Sequence, residues 1–514
     1  MKKVLCSILA GALAVGLLAG CGGGADSGKG EGGAAGGSQV INIGINTDVS
    51  SLDPHNHNDT ASAYATRHIY SNLVRLTDKN EFVGDLAEKW EFVDDVTVEF
   101  TLKEGVKFHD GSTLTAEDVK YSLESQKESP KVGHLVSMVD SVEVKDDTHF
   151  VIHMNTPSNA LISSLNHSGC AIFSKAHVEK LLADGKKIED EPMGTGPYKF
   201  ENWTPGASFT LVKNPDYFDS QRMAQNDKLV FKVISEDSAR TIALENGELD
   251  LLIDVPFTDA GKIRDNDKLA LDEYPSTHVD YFTVNQTKPP FDNLKVRQAL
   301  SHAINKEDVV IAAINGEGKA FDNYIGEAAI GYYDVVTKYD YDVEKAKALL
   351  EEAGYGSGFT FNCYVSNAKR ANSATVIQAN LAELGITMNI EQMEASTFYE
   401  KTGNSEHDSC IAGWVANAEP DNTYRPLFTS GNAGAGGNRS FYMNPEVDKL
   451  VDDAAVNSDK AAVQKDYETI LKTVSDDAVW VPLFAQTGLI ARNANLQGVN
   501  PSSIQMHDFY SVHY

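Results

Sequence analysis

The first residues with a defined chemistry are those that lead to Cys21. Two lysines, at positions 2 and 3, precede an apolar stretch over residues 4–18, and the tetrapeptide Leu-Ala-Gly-Cys ends at Cys21. This order is typical of bacterial lipoprotein signals, in which the cysteine sulfur is lipidated and becomes the new N-terminus. The apolar run is shorter than the roughly 20 residues of a spanning helix. We therefore expect a signal peptide over residues 1–20 and lipidation at Cys21, with an ordinary secretory peptide or a short membrane anchor as the alternatives.

Other motifs that carry chemistry are scarce. The sequence contains no G-x-S-x-G elbow, no H-E-x-x-H pair and no phosphate-binding loop. His55 and His57 flank Asn56 in a loop, a spacing that two metal ligands can use, but an isolated pair of this kind is more typical of a surface turn. The sequence predicts a protein that is not an enzyme, with no catalytic residue, no metal and no cofactor. A lipoprotein hydrolase, with a Ser or Cys beside a His in the fold, is the alternative.

The number and spacing of the cysteines argue against disulfide bonds and against a zinc site. Beyond Cys6 in the signal and the lipidated cysteine, Cys170, Cys363 and Cys410 remain. An odd number at wide spacing is not a disulfide framework, and no Cys-x-x-Cys motif suggests zinc. We expect three buried free thiols.

Length and composition bound the architecture. The chain has 514 residues, of which 42% are hydrophobic, and a formal net charge of −30. This length predicts two or three domains, and the acidic balance argues against nucleic acid and against adsorption to anionic lipid. Residues 21–38 are rich in Gly and Ala, which predicts a flexible tether that ends where ordered structure starts near Val40.

The predicted secondary structure differs between the first part of the chain and the remainder. Alternating apolar residues predict strands over residues 96–102, 142–144 and 150–154, and Thr115 with Asp118 forms a capping-box pattern at a helix start. The first part therefore looks like α+β with antiparallel strands.

Beyond residue 228, strand and helix patterns alternate. Strands are predicted over residues 229–234, 249–255, 359–365, 387–393 and 410–415, and helices over 237–246, 292–304, 342–354 and 371–384. Such alternation implies a mostly parallel sheet covered on both faces. In such a sheet Cys363 and Cys410 lie on neighbouring strands.

An ordered set of short motifs runs through the chain. It comprises Ser51-Leu-Asp-Pro54, Leu102-Lys-Glu-Gly-Val-Lys-Phe-His-Asp-Gly111, Leu114-Thr-Ala-Glu-Asp-Val-Lys-Tyr-Ser122, Gly194-Thr-Gly-Pro-Tyr198, Leu211-Val-Lys-Asn-Pro-Asp-Tyr217, Pro289-Pro-Phe-Asp-Asn293, Val296-Arg-Gln-Ala-Leu300 and Ala303-Ile-Asn-Lys306. No single motif is decisive, but the ordered set resembles the family 5 extracellular solute-binding proteins of ABC importers, the peptide/nickel-binding group. The resemblance covers essentially the whole chain from Val40 to Tyr514.

This resemblance implies an α/β fold with two lobes, of the periplasmic-binding-protein type (type II, cluster C), with an extra α+β subdomain in the first lobe. Lobe I would comprise residues 39–58, 190–283 and 487–514, the subdomain residues 59–189, and lobe II residues 284–486. The chain would cross between the lobes near residues 280–285 and 483–486. Ligand held by both lobes would stabilise the closed form.

The resemblance also implies ligand-binding residues, which are His55, Asn56, Tyr281, Arg370, Trp414, Val415, Ala416, Asn417 and Glu419. Peptide-binding members carry an Asp where Asn417 stands, and that Asp holds the α-ammonium group of the peptide. Glu419 or Asp421 is a potential substitute; otherwise the ligand lacks a free amine. Arg370 lies roughly where some dipeptide binders place an arginine for the ligand carboxylate. Trp414 as a core residue, and Lys369-Arg370 as a solvated loop, are the structural alternatives.

The implied function is that of a monomeric receptor, held by its lipid on the extracytoplasmic face of the cell membrane. It would bind a solute, short peptides above all, and deliver it to the permease of an ABC importer. A nickel–chelator complex, glutathione or an oligosaccharide are alternative ligands. No nucleic acid partner is expected.

Overall fold

The computed structural model describes residues 39–77, 81–416 and 418–514. The predicted signal peptide, the lipidation site Cys21, the tether and Asn417 lie outside the described residues.

The strands of the described residues are β1 (Val40–Ile45), β2 (Val74–Leu76), β3 (Phe82–Gly84), β4 (Ala87–Asp94), β5 (Thr97–Leu102), β6 (Val139–Val144), β7 (His149–Met154), β8 (Tyr198–Thr204), β9 (Ser208–Lys213), β10 (Lys228–Val233), β11 (Leu251–Leu252), β12 (Leu269–Val284), β13 (Gly318–Ala320), β14 (Thr360–Val365), β15 (Thr387–Gln392), β16 (Ser409–Val415) and β17 (Trp480–Asn493).

The helices are α1 (Thr60–Ile69), α2 (Ala116–Lys127), α3 (Leu161–Ser164), α4 (Lys175–Ala183), α5 (Asp237–Glu245), α6 (Ala260–Arg264), α7 (Leu294–Ala303), α8 (Lys306–Ile314), α9 (Val343–Glu352), α10 (Ala368–Ala382), α11 (Ala395–Gly403), α12 (Asp421–Phe428), α13 (Pro445–Val456) and α14 (Lys460–Asp476). None of the helices in the described ranges is long and apolar enough to cross a bilayer.

The main sheet runs β15-β14-β16-β12-β17-β11-β1-β10-β9-β8, with β13 on β17. Two long strands, β12 and β17, pair with each other along both halves of this sheet. In β17, Leu483 packs with Phe282 in one hydrophobic core, whereas Ile490 packs with Phe209 in another. We call the half around β1, β8, β9, β10 and β11 the first lobe, and the half around β14, β15 and β16 the second lobe.

The predicted mostly parallel sheet is wrong. Parallel pairing is confined to β1 with β10 and β11, and to β14 with β15 and β16. The remaining pairs of the main sheet are antiparallel, for two reasons. β8 and β9 are joined by a short turn at Gly206 (φ 75°), which forces a hairpin. The chain also leaves the first lobe along β12 and returns along β17, so these two strands run in opposite directions.

The predicted strand over residues 249–255 is also shorter in the structure. Only Leu251 and Leu252 form β11, which pairs with β1 and β17. Asp254 adopts a positive φ of 58°, and this left-handed conformation is incompatible with a continuing strand.

A subdomain is built on a separate antiparallel sheet with the order β4-β5-β7-β6. Phe100 and Phe150 stack in its core with ring centroids 5.1 Å apart. Helix α2 covers this core and begins at the predicted capping box, in which the Thr115 backbone N–H donates to Asp118 Oδ2 at 2.9 Å. The antiparallel strands and the capped helix predicted for this part are therefore confirmed.

The three cysteines of the described residues are buried free thiols, as predicted. Cys363 on β14 and Cys410 on β16 lie on neighbouring strands, where Tyr364 pairs with Cys410. Burial raises the pKa of the Cys363 thiol to about 12, which keeps it protonated and unreactive at neutral pH.

Candidate functional site

A cavity of about 640 Å³ lies between the two lobes and the subdomain. The first lobe contributes residues near the start of α1 and the loop 504–506, and the subdomain contributes His134, Leu135 and residues from 163–168. The second lobe contributes the end of β16 and the first turns of α12. This volume falls within the range of roughly 300–1,000 Å³ that small-molecule sites occupy, so a small molecule held there would contact both lobes and the subdomain.

Asn159 of the subdomain joins the second lobe beside the cavity. Its backbone N–H donates to the carbonyl of Ala455 at 2.9 Å. Its side-chain Nδ2 donates to the carbonyls of Ala454 and Asn457 at 2.9 and 2.7 Å. These carbonyls end helix α13, where a helix leaves its last acceptors unsatisfied. These three bonds therefore hold the subdomain against the second lobe, and we call this arrangement closed.

A second bond spans the cavity itself. The Ser163 hydroxyl of α3 contacts Glu419 Oε2 at 2.9 Å. Glu419 precedes α12, and its Oε1 accepts the backbone N–H of Asp421 at 3.4 Å. Burial raises the pKa of Glu419 to about 7, because a carboxylate loses its hydration there.

The arginines of the cavity wall are already engaged by carboxylates. Arg67 Nε donates to Asp508 at 3.0 Å. Arg425 contacts Asp421 at 2.9 Å and Asp452 at 2.7 Å. Among the ion pairs between described residues, none includes Glu419, so this carboxyl lacks a cationic partner.

The end of β16 forms the wall on the second-lobe side, through Trp414, Val415 and Ala416. β16 pairs with β12 along its whole length but with β14 only at Ser409 and Cys410. Within the described part of the chain, residues 411–415 therefore pair with a neighbouring strand on one side only. A free strand edge of this kind offers backbone donors and acceptors to an extended ligand.

Trp414 adds one polar group to this wall. Its indole Nε1 is buried and has no hydrogen-bond partner among the described residues. A buried donor without a partner costs about 1–3 kcal/mol, so the indole would gain from a ligand oxygen or a rearranged neighbour.

Histidines also line the cavity, but they do not gather into a metal site. His134 and His167 are part of the wall. Burial, followed by the charges of His57, His134 and Arg67, lowers the pKa of His167 to about 4, so it is neutral at physiological pH. No group of three or more His, Cys, Asp or Glu with metal-binding geometry occurs in the described ranges.

The structure brings four of the predicted site residues together, namely Trp414, Val415, Ala416 and Glu419. The loop that carries His55 and Asn56 reaches the cavity through Asn58 and Asp59, whereas His55 and Asn56 themselves lie outside the lining. Sequence reasoning missed Arg67, Ser163 and His167, among others, because they stand in segments without a recognisable motif.

The His55–His57 loop lies at the surface, where Asn56 is exposed, but its two histidine rings turn inward. The His55 ring packs 4.5 Å from Phe173 and its Nδ1 lies 3.3 Å from the Ser125 hydroxyl. His57 is 2% exposed, with its Nε2 3.2 Å from the Thr66 hydroxyl. Both imidazoles pack inside the fold, which lowers the pKa of His55 to about 3. The Ser125–His55 pair is not part of the cavity wall.

Tyr281 and Arg370 also lie outside the cavity lining. Tyr281 is buried in the second lobe, where its ring stacks 3.7 Å from that of Trp480. Arg370 is 7% exposed and its Nε lies 3.5 Å from Asp280, which Lys369 contacts at 2.7 Å. Lys369-Arg370 is thus a buried ion cluster and not a solvated loop.

Asp280 is the centre of that cluster. It is fully buried, and the charges of Lys369, then His278 and Arg370, hold the pKa of its carboxyl well below the usual range despite the opposing effect of burial. A Cβ at Gly413 of β16 would lie 2.5 Å from His278 Nε2 and 3.0 Å from Asp280 Oδ1. Glycine at this position therefore lets the cluster pack against the strand that carries Trp414.

Comparisons with known proteins agree with this geometry. The profile of the bacterial extracellular solute-binding proteins, family 5 Middle, matches residues 81–435. The glutathione-binding protein GsiB of Pectobacterium atrosepticum is 31% identical over 470 residues, which cover 89% of this chain and 90% of that protein. Heme-binding protein A of Haemophilus influenzae is 29% identical, with 87% of each chain covered.

Among solved structures, the ABC transporter-associated periplasmic binding protein DppA of Helicobacter pylori in complex with the peptide STSA superposes with a TM-score of 0.79. It is 28% identical, and the match covers 92% of this chain and 98% of that one. The predicted two-lobe α/β fold of the periplasmic binding proteins is confirmed by this match.

Proposed function

Because the chain belongs to the bacterial extracellular solute-binding proteins of family 5, we propose that it is a lipid-anchored receptor that binds short peptides in the cavity between its lobes. The family consists of solute-binding receptors of ABC importers. Delivery of the bound peptide to a permease, and work as a monomer, complete the proposal. Nothing in this role needs covalent chemistry.

The free edge of β16 is the observation that carries the peptide proposal. A peptide extended along the end of β16, where Trp414 and Val415 line the cavity, would add a strand to the sheet, and its backbone would supply most of the hydrogen bonds. Such binding tolerates different side chains, because the bonds are made to groups that all peptides share. The peptide complex of the DppA structure, at 28% identity, supports this choice.

Glu419 is the proposed partner of the peptide ammonium group. It lines the cavity, lacks a cationic partner among the described residues and stands two positions beyond Asn417. A charge-assisted hydrogen bond is worth about 1.5–3 kcal/mol. An ammonium group would compensate the burial of the carboxylate, which a neutral ligand cannot do.

The remaining predicted site residues that the structure describes lie outside the cavity lining, and we propose roles for them that act from beside it. The Arg370 Nη2 atom would lie 3.1 Å from a Cβ at Gly413, beside the strand that we propose pairs with the peptide. We propose that it attracts the ligand carboxylate, although Asp280 already compensates part of its charge. His55 and Asn56 would act by shaping the loop that places Asn58 and Asp59 in the wall, and Tyr281 by supporting β16 from β12.

Glutathione is the second candidate ligand. A relative named as a glutathione-binding protein is 31% identical over 89% of this chain. Glutathione is a short modified peptide with one ammonium group, so it would also satisfy Glu419. The two candidates differ in whether many peptides or one compound bind.

Native mass spectrometry of protein purified from cells tests the proposal. A mixture of retained peptides supports the first candidate, and a single mass of glutathione supports the second. Calorimetry with trialanine and with N-acetyl-trialanine then tests Glu419, since only the first carries the ammonium group. Failure of trialanine, of a tetrapeptide mixture and of glutathione to bind would refute the proposed ligand class.

The lipid anchor is tested separately. We expect the wild-type chain in the membrane fraction, with the mass of a diacylglyceryl group on Cys21. Cys21→Ser should release the protein from the membrane without a change in ligand affinity. Wild-type protein of unmodified mass in the aqueous fraction would contradict the anchor.

A further inference from the structure

The contacts of the Ser163 hydroxyl require more hydrogens than a serine and an ionised glutamate can provide. The Ser163 oxygen lies 2.9 Å from Glu419 Oε2 and also 2.9 Å from the carbonyl oxygen of Ala160. A serine hydroxyl has a single hydrogen to donate. If Glu419 is ionised, both neighbours are acceptors, and one of these two short contacts has no hydrogen between its oxygens.

A proton on Glu419 removes this conflict. The carboxylic acid O–H then donates to the Ser163 oxygen, and the Ser163 hydroxyl donates its own hydrogen to the Ala160 carbonyl. Both contacts become hydrogen bonds, with one hydrogen each. Ser163 lines the cavity but is only 7% exposed, and a buried contact between two acceptors with no hydrogen between them is costly.

We propose that the bond across the cavity is carried by a proton on Glu419, so that closure of the two lobes in the ligand-free protein depends on pH. The proposal does not rest on the ligand suggested above, because it concerns the empty protein. If no peptide binds, it stands; if it fails, the peptide proposal is untouched.

The groups around Glu419 are consistent with a neutral carboxyl. Asp421 follows on the same chain segment and adds negative charge, while Tyr467 of α14 packs nearby. Arg425 of α12 and Arg67 of α1 are each paired with another carboxylate. From the subdomain, His134 and His167 line the same cavity, and His167 is neutral at physiological pH.

The direction of the pH effect follows from linkage. Burial raises the pKa of Glu419 to about 7 in the closed arrangement, whereas a carboxyl exposed by opening would titrate near its ordinary value of about 4.3. The closed form therefore binds the proton more tightly. Between these two values the closing equilibrium constant falls by up to about tenfold per pH unit, and above about pH 7 it is constant.

The experiment measures the distance between spin labels on the two bodies. Lys131→Cys in the subdomain and Glu446→Cys at the start of α13 provide exposed positions, and the native thiols are buried. Protein freed of ligand by exhaustive dialysis is examined from about pH 5.5 to about pH 8.5. We expect the closed fraction to decrease with rising pH, with its decline ending near pH 7.

Glu419→Gln is the matched variant, because its amide N–H donates to Ser163 at every pH. It should keep a high closed fraction with no pH dependence. Ser163→Ala should lower the closed fraction at acid pH. A wild-type closed fraction that is constant with pH, or a decline that Glu419→Gln retains, would overturn the proposal.

A measurement on the wild-type protein alone guards against a variant that does not fold. In protein labelled with 13C at the glutamate carboxyl carbons, one resonance should titrate near pH 7. If every glutamate resonance titrates below about pH 6, Glu419 does not hold a proton at neutral pH and the proposal is wrong.

Discussion

Asn159→Ala offers the sharpest test of how the lobes are held together. The substitution removes the two bonds from Nδ2 to the carbonyls of Ala454 and Asn457 and leaves the backbone bond to Ala455 in place. Asn159 is exposed and lies between β7 and α3, so its truncation leaves no cavity in the core. The change therefore affects the contact between the bodies rather than their folding.

The magnitude follows from the two lost bonds. Each neutral hydrogen bond contributes a net of about 0.5–1.5 kcal/mol, and the bond to Asn457 is exposed whereas that to Ala454 is partly buried. We expect the closed form to lose about 1–2 kcal/mol, which lowers the closing equilibrium constant by a factor of about 5–30. Because ligand and closure are linked, the affinity for a ligand that binds only the closed form falls by up to the same factor.

The assay combines the interlobe spin-label distance with calorimetry of a bound peptide. Asn155→Ala is the control, since Asn155 is also exposed in the subdomain and its Nδ2 donates at 2.9 Å to Ser137 within the same body. The control should keep the wild-type closed fraction and affinity. If Asn159→Ala behaves like Asn155→Ala in both measurements, Asn159 does not stabilise closure and the reasoning is refuted.

Three further predictions concern the cavity and the ion cluster. An ammonium ligand should displace the proton of Glu419, so the affinity for trialanine should rise with pH through about 7. Calorimetry near pH 6 in buffers of different ionisation enthalpy should show the release of close to one proton per bound trialanine. Equal proton release in Glu419→Gln would contradict this prediction. Gly413→Ala should lower the free energy of unfolding by several kcal/mol in urea titrations, because its Cβ would lie 2.5 Å from His278 Nε2. Gly261→Ala is the control and should be neutral or stabilising, because no atom lies within 4 Å of its Cβ. Equal effects of the two substitutions would refute the packing argument. Asp280→Asn should lower the free energy of unfolding by about 3–5 kcal/mol, since it leaves the buried Arg370 and the partly buried Lys369 without a counter-charge. In the wild type this contribution is present above the ordinary carboxyl pKa and should be lost only as the pH falls far below it. An unchanged melting temperature of the variant would contradict the role of the cluster.

The sequence predicted those parts of the fold whose signal is local. The capping box at Thr115 and the alternating strands of the subdomain depend on neighbours in the chain, and their positions agree with the structure to within a few residues. The segment from Trp414 to Ala416, which the sequence predicts to bind ligand, lies in the cavity wall. Residue patterns are sufficient to predict an element when the residues that stabilise it are close together in the sequence.

Features that depend on distant partners could not be predicted. The direction of β12 and β17 is set by how the chain passes between lobes, which no alternation of strands and helices reveals. An isolated pair of histidines in a loop is typical of a surface turn, yet His57 is buried against Thr66 of α1. Ser163 is part of the site because the subdomain folds against the second lobe. Its partner there, Glu419, lies 256 positions away in the sequence.

The paired strands β12 and β17 also decide how the protein can deform. Two hydrogen-bonded strands side by side bend readily out of their common plane, since this motion keeps their bonds, but bending within the plane would break them. The ladder between the strands is interrupted between Pro275 and Val279 and shifts register again between Asp280 and Tyr281, which places the compliant region at these irregularities. The lobes should consequently swing about an axis that lies across this ribbon, and resistance to bending within the plane of the ribbon would help to bring Asn159 back to the end of α13 when they meet.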